Sequence, residues 1–297
     1  MDPSSQRPES GTPALDPADP AALIEHWSRG TPRQWIEARL AAEGIGRPGW
    51  RDVARYDQIH AGGLKAVAKL ADLAGIGRGA QVADLGGGLG GSARWLAGEL
   101  GCRVVCVDLT RALVEAGAEL TAWVGLDAQV QHLHADASAT GLPAGGFDGV
   151  WVQHLALHLP EPQALWQEAA RLLRPGGVLA LHEWTLGSGG EPYHPLPWSR
   201  ADGSLSHLQT LDDFAAGLRA AGFTAVDFVD GSAAAAGSYA SQRAALAQLE
   251  RPDNPVLPAD ELLTVLANAE RSLREGRCRC VYATARRLGN DAITTAG

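Results

Sequence analysis

Two stretches of this chain carry residue types and spacings that could do chemistry. The first is Val82-Ala83-Asp84-Leu85-Gly86-Gly87-Gly88-Leu89-Gly90-Gly91, where an acidic residue precedes a cluster of glycines. Glycines tolerate positive φ in a tight turn and let a ligand approach the backbone closely. The second is Trp151-Val152-Gln153-His154-Leu155-Ala156-Leu157-His158, with two histidines four positions apart. If the turn there is helical, both rings share one face. A histidine near pH 7 can take a proton from a reacting group.

The elements that must position these residues follow from the surrounding pattern. Residues 81–85 read as a buried strand that runs into the glycine turn, and the helix after it presents free N–H groups at its N-terminus. That is the layout of a nucleotide-type site at the end of a first strand. Gly86, Gly88 and Gly91 also fit the dinucleotide fingerprint. Asp84 separates the two readings. A carboxylate there opposes a pyrophosphate but suits a ligand that carries an ammonium and a sulfonium and no phosphate, as S-adenosylmethionine does.

Further strands are expected at 103–107, 130–134, 149–152, 178–183 and 224–229. Helices are expected at 64–74, 111–124, 163–173 and 211–221, and Arg174-Pro175-Gly176-Gly177 is a breaker. Alternating strands and helices imply right-handed crossovers and a doubly wound α/β sheet of seven strands, covered on both faces. The last strand, from Cys278, follows a long helical stretch and is expected antiparallel at the sheet edge. Residues 1–19 carry four prolines and read as a disordered tail. Residues 20–55 read as an N-terminal helical cap, and 56–290 as one domain. Within that domain, 184–209 lacks periodicity and reads as an insertion covering the pocket, and about 232–276 reads as a helical insertion.

Composition narrows the function classes. The 297 residues are 45% hydrophobic and 20% charged, an ordinary balance for a soluble chain. A net charge of −9 argues against nucleic acid as the main partner. No apolar run of membrane-spanning length and no signal peptide is evident, so neither a membrane nor export is expected. Cys102, Cys106, Cys278 and Cys280 lack zinc-ligand spacing, and a reducing cytoplasm is the expected compartment. A small-molecule substrate and a monomer or homodimer remain.

Residues 56–230 resemble the class I SAM-dependent methyltransferases. The resemblance rests on Val82–Gly91, Asp108 after the second strand, His134-Ala135-Asp136-Ala137, Phe147-Asp148-Gly149-Val150 and Leu172–Gly177. It implies a Rossmann-like fold and S-adenosylmethionine as cofactor. Asp84, Gly86 and Gly88 are then expected to hold the cofactor, Asp108 with neighbouring Leu109 to take the ribose diol, and Asp136 with Ala137 to meet the adenine. Gln58, His60 and Gln153 complete the expected cofactor set.

A closer similarity is to the sarcosine/dimethylglycine and phosphoethanolamine N-methyltransferase group, which includes natural-product enzymes. It rests on Asp57-Gln58-Ile59-His60 with Gly62-Gly63, and on Gly190-Glu191-Pro192-Tyr193-His194-Pro195-Leu196-Pro197-Trp198. His158 matches that group's catalytic histidine. His154 falls where those enzymes carry an Asp, and the change removes a carboxylate suited to a cationic amine. His154 and His158 are the expected catalytic pair, and Tyr56, Trp184, Tyr193, His194 and Trp198 the expected substrate pocket. Packing roles are the alternative for each of these side chains.

Transfer of a methyl group to nitrogen is expected first, with oxygen or carbon in a natural-product pathway as the alternative. A nicotinamide-dependent oxidoreductase and a non-catalytic SAM-binding regulator are the readings from other classes. A metal site built on His154 and His158, completed by His182, Glu183 or His194, has no motif behind it, and no metal is expected.

Overall fold

The structure is a computed structural model that describes residues 20–30, 32–249, 254 and 261–288. The expected disordered tail lies outside these residues. Three helices open the described chain: α1 (Pro20–Trp27), α2 (Pro32–Ala42) and the short α3 (Trp50–Val53). The body alternates α4 (Gly63–Ala74), β1 (Gln81–Leu85), α5 (Gly91–Leu100), β2 (Arg103–Asp108), α6 (Arg111–Trp123), β3 (Val130–His134) and β4 (Phe147–Gln153). It continues through α7 (Gln163–Leu172), β5 (Leu173–Leu186), α8 (Leu211–Ala220), β6 (Phe223–Asp230), α9 (Ser232–Leu246), α10 (Leu262–Arg274) and β7 (Cys278–Arg287).

The seven strands form one sheet in the order β3-β2-β1-β4-β5-β7-β6. Pairings from β3 across to β5 are parallel, while β7 runs antiparallel to both β5 and β6. The last strand was expected at the edge. It instead inserts between β5 and β6, and β6 takes the edge. Burial explains the arrangement: Cys278, Cys280, Val281, Tyr282, Ala283 and Ala285 are all buried, whereas β6 keeps most of its side chains partly or fully exposed. A strand apolar on both faces belongs inside a sheet, and a polar one tolerates its rim.

Side chains alternate between two cores. Ala83, Leu85, Val150, Val152, Leu179 and Leu181 pack under α7 and α8 with Trp166 and Phe214. Val82, Val104, Trp151, Val178 and Ala180 pack on the opposite face under α4 and α5. The parallel strands therefore all deliver their carboxyl ends to one rim, where β1 and β4 are neighbours and the strand order reverses. Ligands bind at such a switch point.

One buried ion pair ties the segment before α4 to that rim. Arg94 on α5 donates from Nη2 to Asp57 Oδ2 at 2.8 Å and from Nε at 3.2 Å. Its Nη1 donates to Gly117 O at 3.1 Å and Thr121 Oγ1 at 2.9 Å, so α6 is held as well. Both ionic side chains are 1% exposed. Removing one member of such a pair strands the other charge. Arg94→Met is expected to cost about 3–5 kcal/mol in chemical denaturation, and Arg94→Met/Asp57→Leu together less than Arg94→Met alone.

Candidate active site

The rim opens into a cleft. Its floor is the turn after β1, where Gly86 and Gly88 take φ of 73° and 54° and Gly90 begins α5 at φ 74°. A Cβ on Gly87 would overlap Cys106 Sγ and Asp84 Oδ2, so the backbone there leaves room for no side chain. A Cβ on Gly91 would stand 2.7 Å from Asp57 O, because the 57–60 segment lies directly on the start of α5.

Asp84, Asp108 and Asp136 line the cleft together with Gly86, Gly88, Leu109, Ala137 and Gln153. Asp108 Oδ2 accepts from Gly88 N at 2.9 Å and Oδ1 from Thr110 N at 2.8 Å, which fixes the carboxylate at the end of β2. Asp136 accepts from Ser138 N at 2.7 Å and stays exposed at the far side. Asp84 is buried, and its Oδ2 has no partner. Burial, with Asp108 adding to it, pushes the Asp84 carboxyl up to about 7. A buried carboxyl oxygen left open toward a cleft is costly unless a ligand donor meets it.

The other end of the cleft is built of rings. Trp27, His60, His154, His158, Trp198 and Tyr239 line it. His154 follows β4 directly and holds φ at 56°, a left-handed conformation uncommon for a residue with a side chain. Three hydrogen bonds enforce it. His154 N donates to His182 O at 3.0 Å, and Glu183 Oε1 accepts from the next two amides, Leu155 N at 2.8 Å and Ala156 N at 3.0 Å. Glu183 thus caps the short 3₁₀ turn Ala156–His158 and sets both histidines. It is fully buried and pushed up to about 8 by desolvation.

His158 is held in one tautomer. Its Nδ1–H donates to Leu205 O at 3.1 Å, and its Nε2 accepts from Trp27 Nε1 at 3.2 Å. His26 donates to Pro197 O at 3.3 Å, and Arg200 pairs with Glu25 at 2.8 Å. The N-terminal helix, the 184–209 segment and the turn after β4 therefore meet over the cleft.

His154 lies among rings. Its Nε2 stands 3.3 Å from His182 Nδ1, and its plane is stacked on His60 at 6.1 Å between centroids. His182 Nε2 donates to Cys280 Sγ at 3.1 Å. His60 has Gln58 Oε1 3.0 Å from Nε2 and Ala61 O 3.2 Å from Nδ1. Gln58 in turn donates to Asp57 Oδ1 at 2.6 Å, so His60 is fastened through Gln58 to the Arg94 pair. Gln153 Oε1 accepts from Ser92 Oγ at 2.5 Å and Trp151 Nε1 at 2.7 Å.

The remaining expected residues stand elsewhere. Gln58 is one residue removed from the cleft wall and acts on it only through His60. Tyr56 bonds Glu43 and meets Trp35 edge-to-face at 5.6 Å between centroids, so it braces the cap helices outside the cleft. Tyr193 donates to Glu275 Oε2 at 2.8 Å and lies between Arg271 and Arg277. His194 bonds Ser199 Oγ at 2.7 Å within its own segment. Trp184 is 1% exposed and packs beneath the cleft on Trp198 and Tyr239, so it supports the wall without forming it.

His182 and Glu183 were not assigned to the cofactor or substrate by the sequence reading. Their signal was present: a polar His-Glu pair ends the apolar run Val178–Leu181 in a buried strand. Trp27 meets His158 from 131 positions away in the chain.

Residues 83–181 match the methyltransferase domain family. Sterol 24-C-methyltransferase of Eremothecium gossypii is 29% identical over 184 residues, 56% of this chain and 49% of that protein. Sarcosine/dimethylglycine N-methyltransferase of Halorhodospira halochloris is 35% identical over 102 residues, 34% of this chain and 37% of that protein. The chain spans half or less of the length of these curated relatives. Among solved structures, Haemonchus contortus phosphoethanolamine N-methyltransferase 2, bound to phosphomonomethylethanolamine and S-adenosylhomocysteine, superposes with a TM-score of 0.70. It is 18% identical and covers 90% of this chain and 60% of that one. Residues 83–181 thus match a methyltransferase domain, and the fold is that of the solved methyltransferase.

Buried titrating groups set opposing pH trends. Burial pulls His26 and His132 from 6.5 down to about 4 and His158 down to about 3. Below pH 6.5 the unfolded chain takes up protons that the folded chain refuses, so this stability is lost as pH falls. Asp84 and Glu183 are raised to about 7 and about 8, so their contribution is lost as pH rises through those values. Denaturation midpoints are expected to peak between about pH 6.5 and 7 and to fall on both sides. Nitrogen NMR is expected to report His158 as the neutral Nδ1–H tautomer across the whole range.

Proposed function

We propose that this chain transfers the methyl group of S-adenosylmethionine to a small neutral acceptor. The observation that carries the reading is Asp84. A buried carboxyl with one oxygen unpartnered sits under a glycine turn, in the same cleft as Asp108 and Asp136. The three carboxylates are spaced along the ends of β1, β2 and β3, and they match a ligand with a cationic end, a diol and an amine-bearing base. Nicotinamide cofactors satisfy the diol but place a pyrophosphate at the glycine turn, against Asp84.

S-adenosylmethionine, when bound, supplies an electrophilic methyl on a sulfonium. The chain's residues supply the rest. Asp84 and the amides of the glycine turn take the amino-acid end, Asp108 accepts from the ribose hydroxyls, and Asp136 meets the adenine. Trp27, Trp198 and the 184–209 segment cover the cleft and exclude water, which favours attack by the acceptor. The rings of His154 and His158 face the acceptor. His154 is the one placed to hold or move a proton, because both nitrogens of His158 are already engaged.

Every carboxylate lining the cleft belongs to the cofactor end or to the Arg94 pair. The acceptor end has aromatic and imidazole rings. This favours a neutral acceptor atom on an apolar body over a quaternary or cationic amine. Nitrogen is the first reading, from the similarity to the sarcosine/dimethylglycine group. Oxygen or carbon is the second, favoured by the imidazole-lined acceptor end and by the likeness to sterol 24-C-methyltransferase. A cytoplasmic role in natural-product chemistry fits the four free cysteines and this apolar cleft. Among the described residues no helix is long and apolar enough to cross a membrane.

Asp108→Ala is expected to weaken S-adenosylhomocysteine binding about 100-fold in calorimetry, for two lost hydrogen bonds to a charged group. Affinity in the wild type is expected to fall as pH drops below about 7, where Asp84 is protonated in the free protein. Asp84→Asn should bind more weakly and lose that slope. The decisive assay offers methyl-labelled S-adenosylmethionine with amines, phenols, carboxylates and 2-keto acids, and reads products by mass. His154→Ala is expected to lower turnover on the accepted substrate by about 100-fold while leaving S-adenosylhomocysteine affinity within about threefold. Tight binding with no product from any acceptor class would leave a silent SAM-binding protein instead.

A further inference from the structure

The imidazoles of His60, His154 and His182 come from three separate segments and converge. One nitrogen of each lies within 4.8 Å of the others. The geometry points to a three-histidine site for a borderline divalent transition ion of the zinc class, with its open coordination position facing the cleft.

The separation of His154 Nε2 and His182 Nδ1 is the first support. At 3.3 Å it is long for a hydrogen bond. Two nitrogens on a tetrahedral ion, each about 2.0–2.1 Å from it, stand about 3.4 Å apart. The pair is therefore already at coordination spacing, and the His60 nitrogen, within 4.8 Å of the others, closes the set by drawing in to about 3.4 Å.

The outward nitrogens are the second. A ligating histidine usually donates its other N–H to a fixed acceptor, which sets the tautomer. His182 Nε2 has Cys280 Sγ at 3.1 Å. His60 has an oxygen at each nitrogen, Gln58 Oε1 and Ala61 O: one keeps its N–H, and the other must give way for its nitrogen to ligate. The Gln153 amide nitrogen, 3.3 Å from His182 Nδ1, must turn aside when an ion binds.

Donor chemistry selects the ion. Three imidazoles and no carboxylate suit zinc, cobalt or nickel, while magnesium and calcium demand oxygens. Three protein ligands leave a fourth position open, as catalytic sites do. His60 and His154 line the cleft and His182 sits behind them, so the open position faces the acceptor end. With an ion in place, His154 would work through it: the ring holds the ion, and the ion holds and polarises the acceptor's oxygen or nitrogen. That role rests on the methyl-transfer reading, whereas ion binding itself does not.

The test uses the full chain, purified without a polyhistidine tag, stripped with chelator and titrated with Co2+ and then Zn2+. Cobalt is expected to bind at one equivalent with visible absorption bands of a tetrahedral nitrogen site, and zinc to displace it. His182→Gln and His60→Gln should each weaken cobalt affinity by about 100-fold or more, while His134→Gln, an exposed histidine, should leave it unchanged. His60 lies on a segment outside the sheet, so its variant keeps the test decisive if His182→Gln fails to fold. Absence of stoichiometric cobalt or zinc binding in folded wild-type chain would overturn the site. Binding that survives both substitutions would overturn it too. S-adenosylhomocysteine calorimetry on the same samples separates the two readings. Nucleoside binding without an ion sinks the metal site alone, and ion binding without the nucleoside sinks the cofactor assignment alone.

Discussion

The Arg94–Asp57 pair is the constraint on which the cleft depends. A guanidinium buried at 1% exposure must satisfy its donors locally, and from α5 it does so on two other elements at once: the 57–60 segment and the body of α6. Asp57, so fixed, accepts from Gln58, and Gln58 meets His60. A strand-end glycine turn is thereby coupled to an imidazole at the opposite side of the cleft. The pair contributes little net stability if the cost of desolvating both charges is counted, so its value lies in register. It decides where the 57–60 segment lies on α5, and Gly91 lacks a side chain because that segment occupies the space.

A second layer of buried polar groups fixes the other wall. Glu183 gives one oxygen to two successive amides of the turn after β4, and that turn carries His154 and His158. The left-handed backbone at His154 is strained by itself and persists because Glu183 and His182 O hold the peptides on either side. Strain kept by surrounding bonds is a common property of sites that must aim a side chain. Here it turns the His154 ring back toward His182, away from the path the strand would otherwise follow.

Much of this was legible from the residues. The strand run Gln81–Leu85 is buried along nearly its whole length and runs into a glycine turn, and local pattern suffices to place it. The glycine turn was equally legible, since positive φ at Gly86 and Gly88 excludes most other residues. The place of β7 was not. Its antiparallel sense follows from the long helical excursion before it, but its position inside the sheet depends on a comparison of burial with β6 that no local window contains. Tyr56, Tyr193 and His194 were set apart from the cleft by partners distant in sequence or by their own turn: Glu43, Glu275 and Ser199. Trp27 and His158 meet across the whole of the first domain half, which periodicity does not encode.

The two ends of the cleft differ in the kind of charge they tolerate, and this difference follows from desolvation. At the glycine turn the buried groups are carboxyls, raised in pKa and ready to give up a proton when a cation arrives. At the other end the buried groups are imidazoles, whose pKa burial lowers so that the neutral form is favoured. A cation is thus welcomed in both places, but by different atoms. Carboxylate oxygens match the ammonium and sulfonium of an organic ligand, and imidazole nitrogens match a borderline metal ion or an acidic proton on the acceptor. On the proposed reading, a cleft arranged this way would keep its organic cation at one end and leave the other end for a nucleophile that must stay uncharged until it is activated.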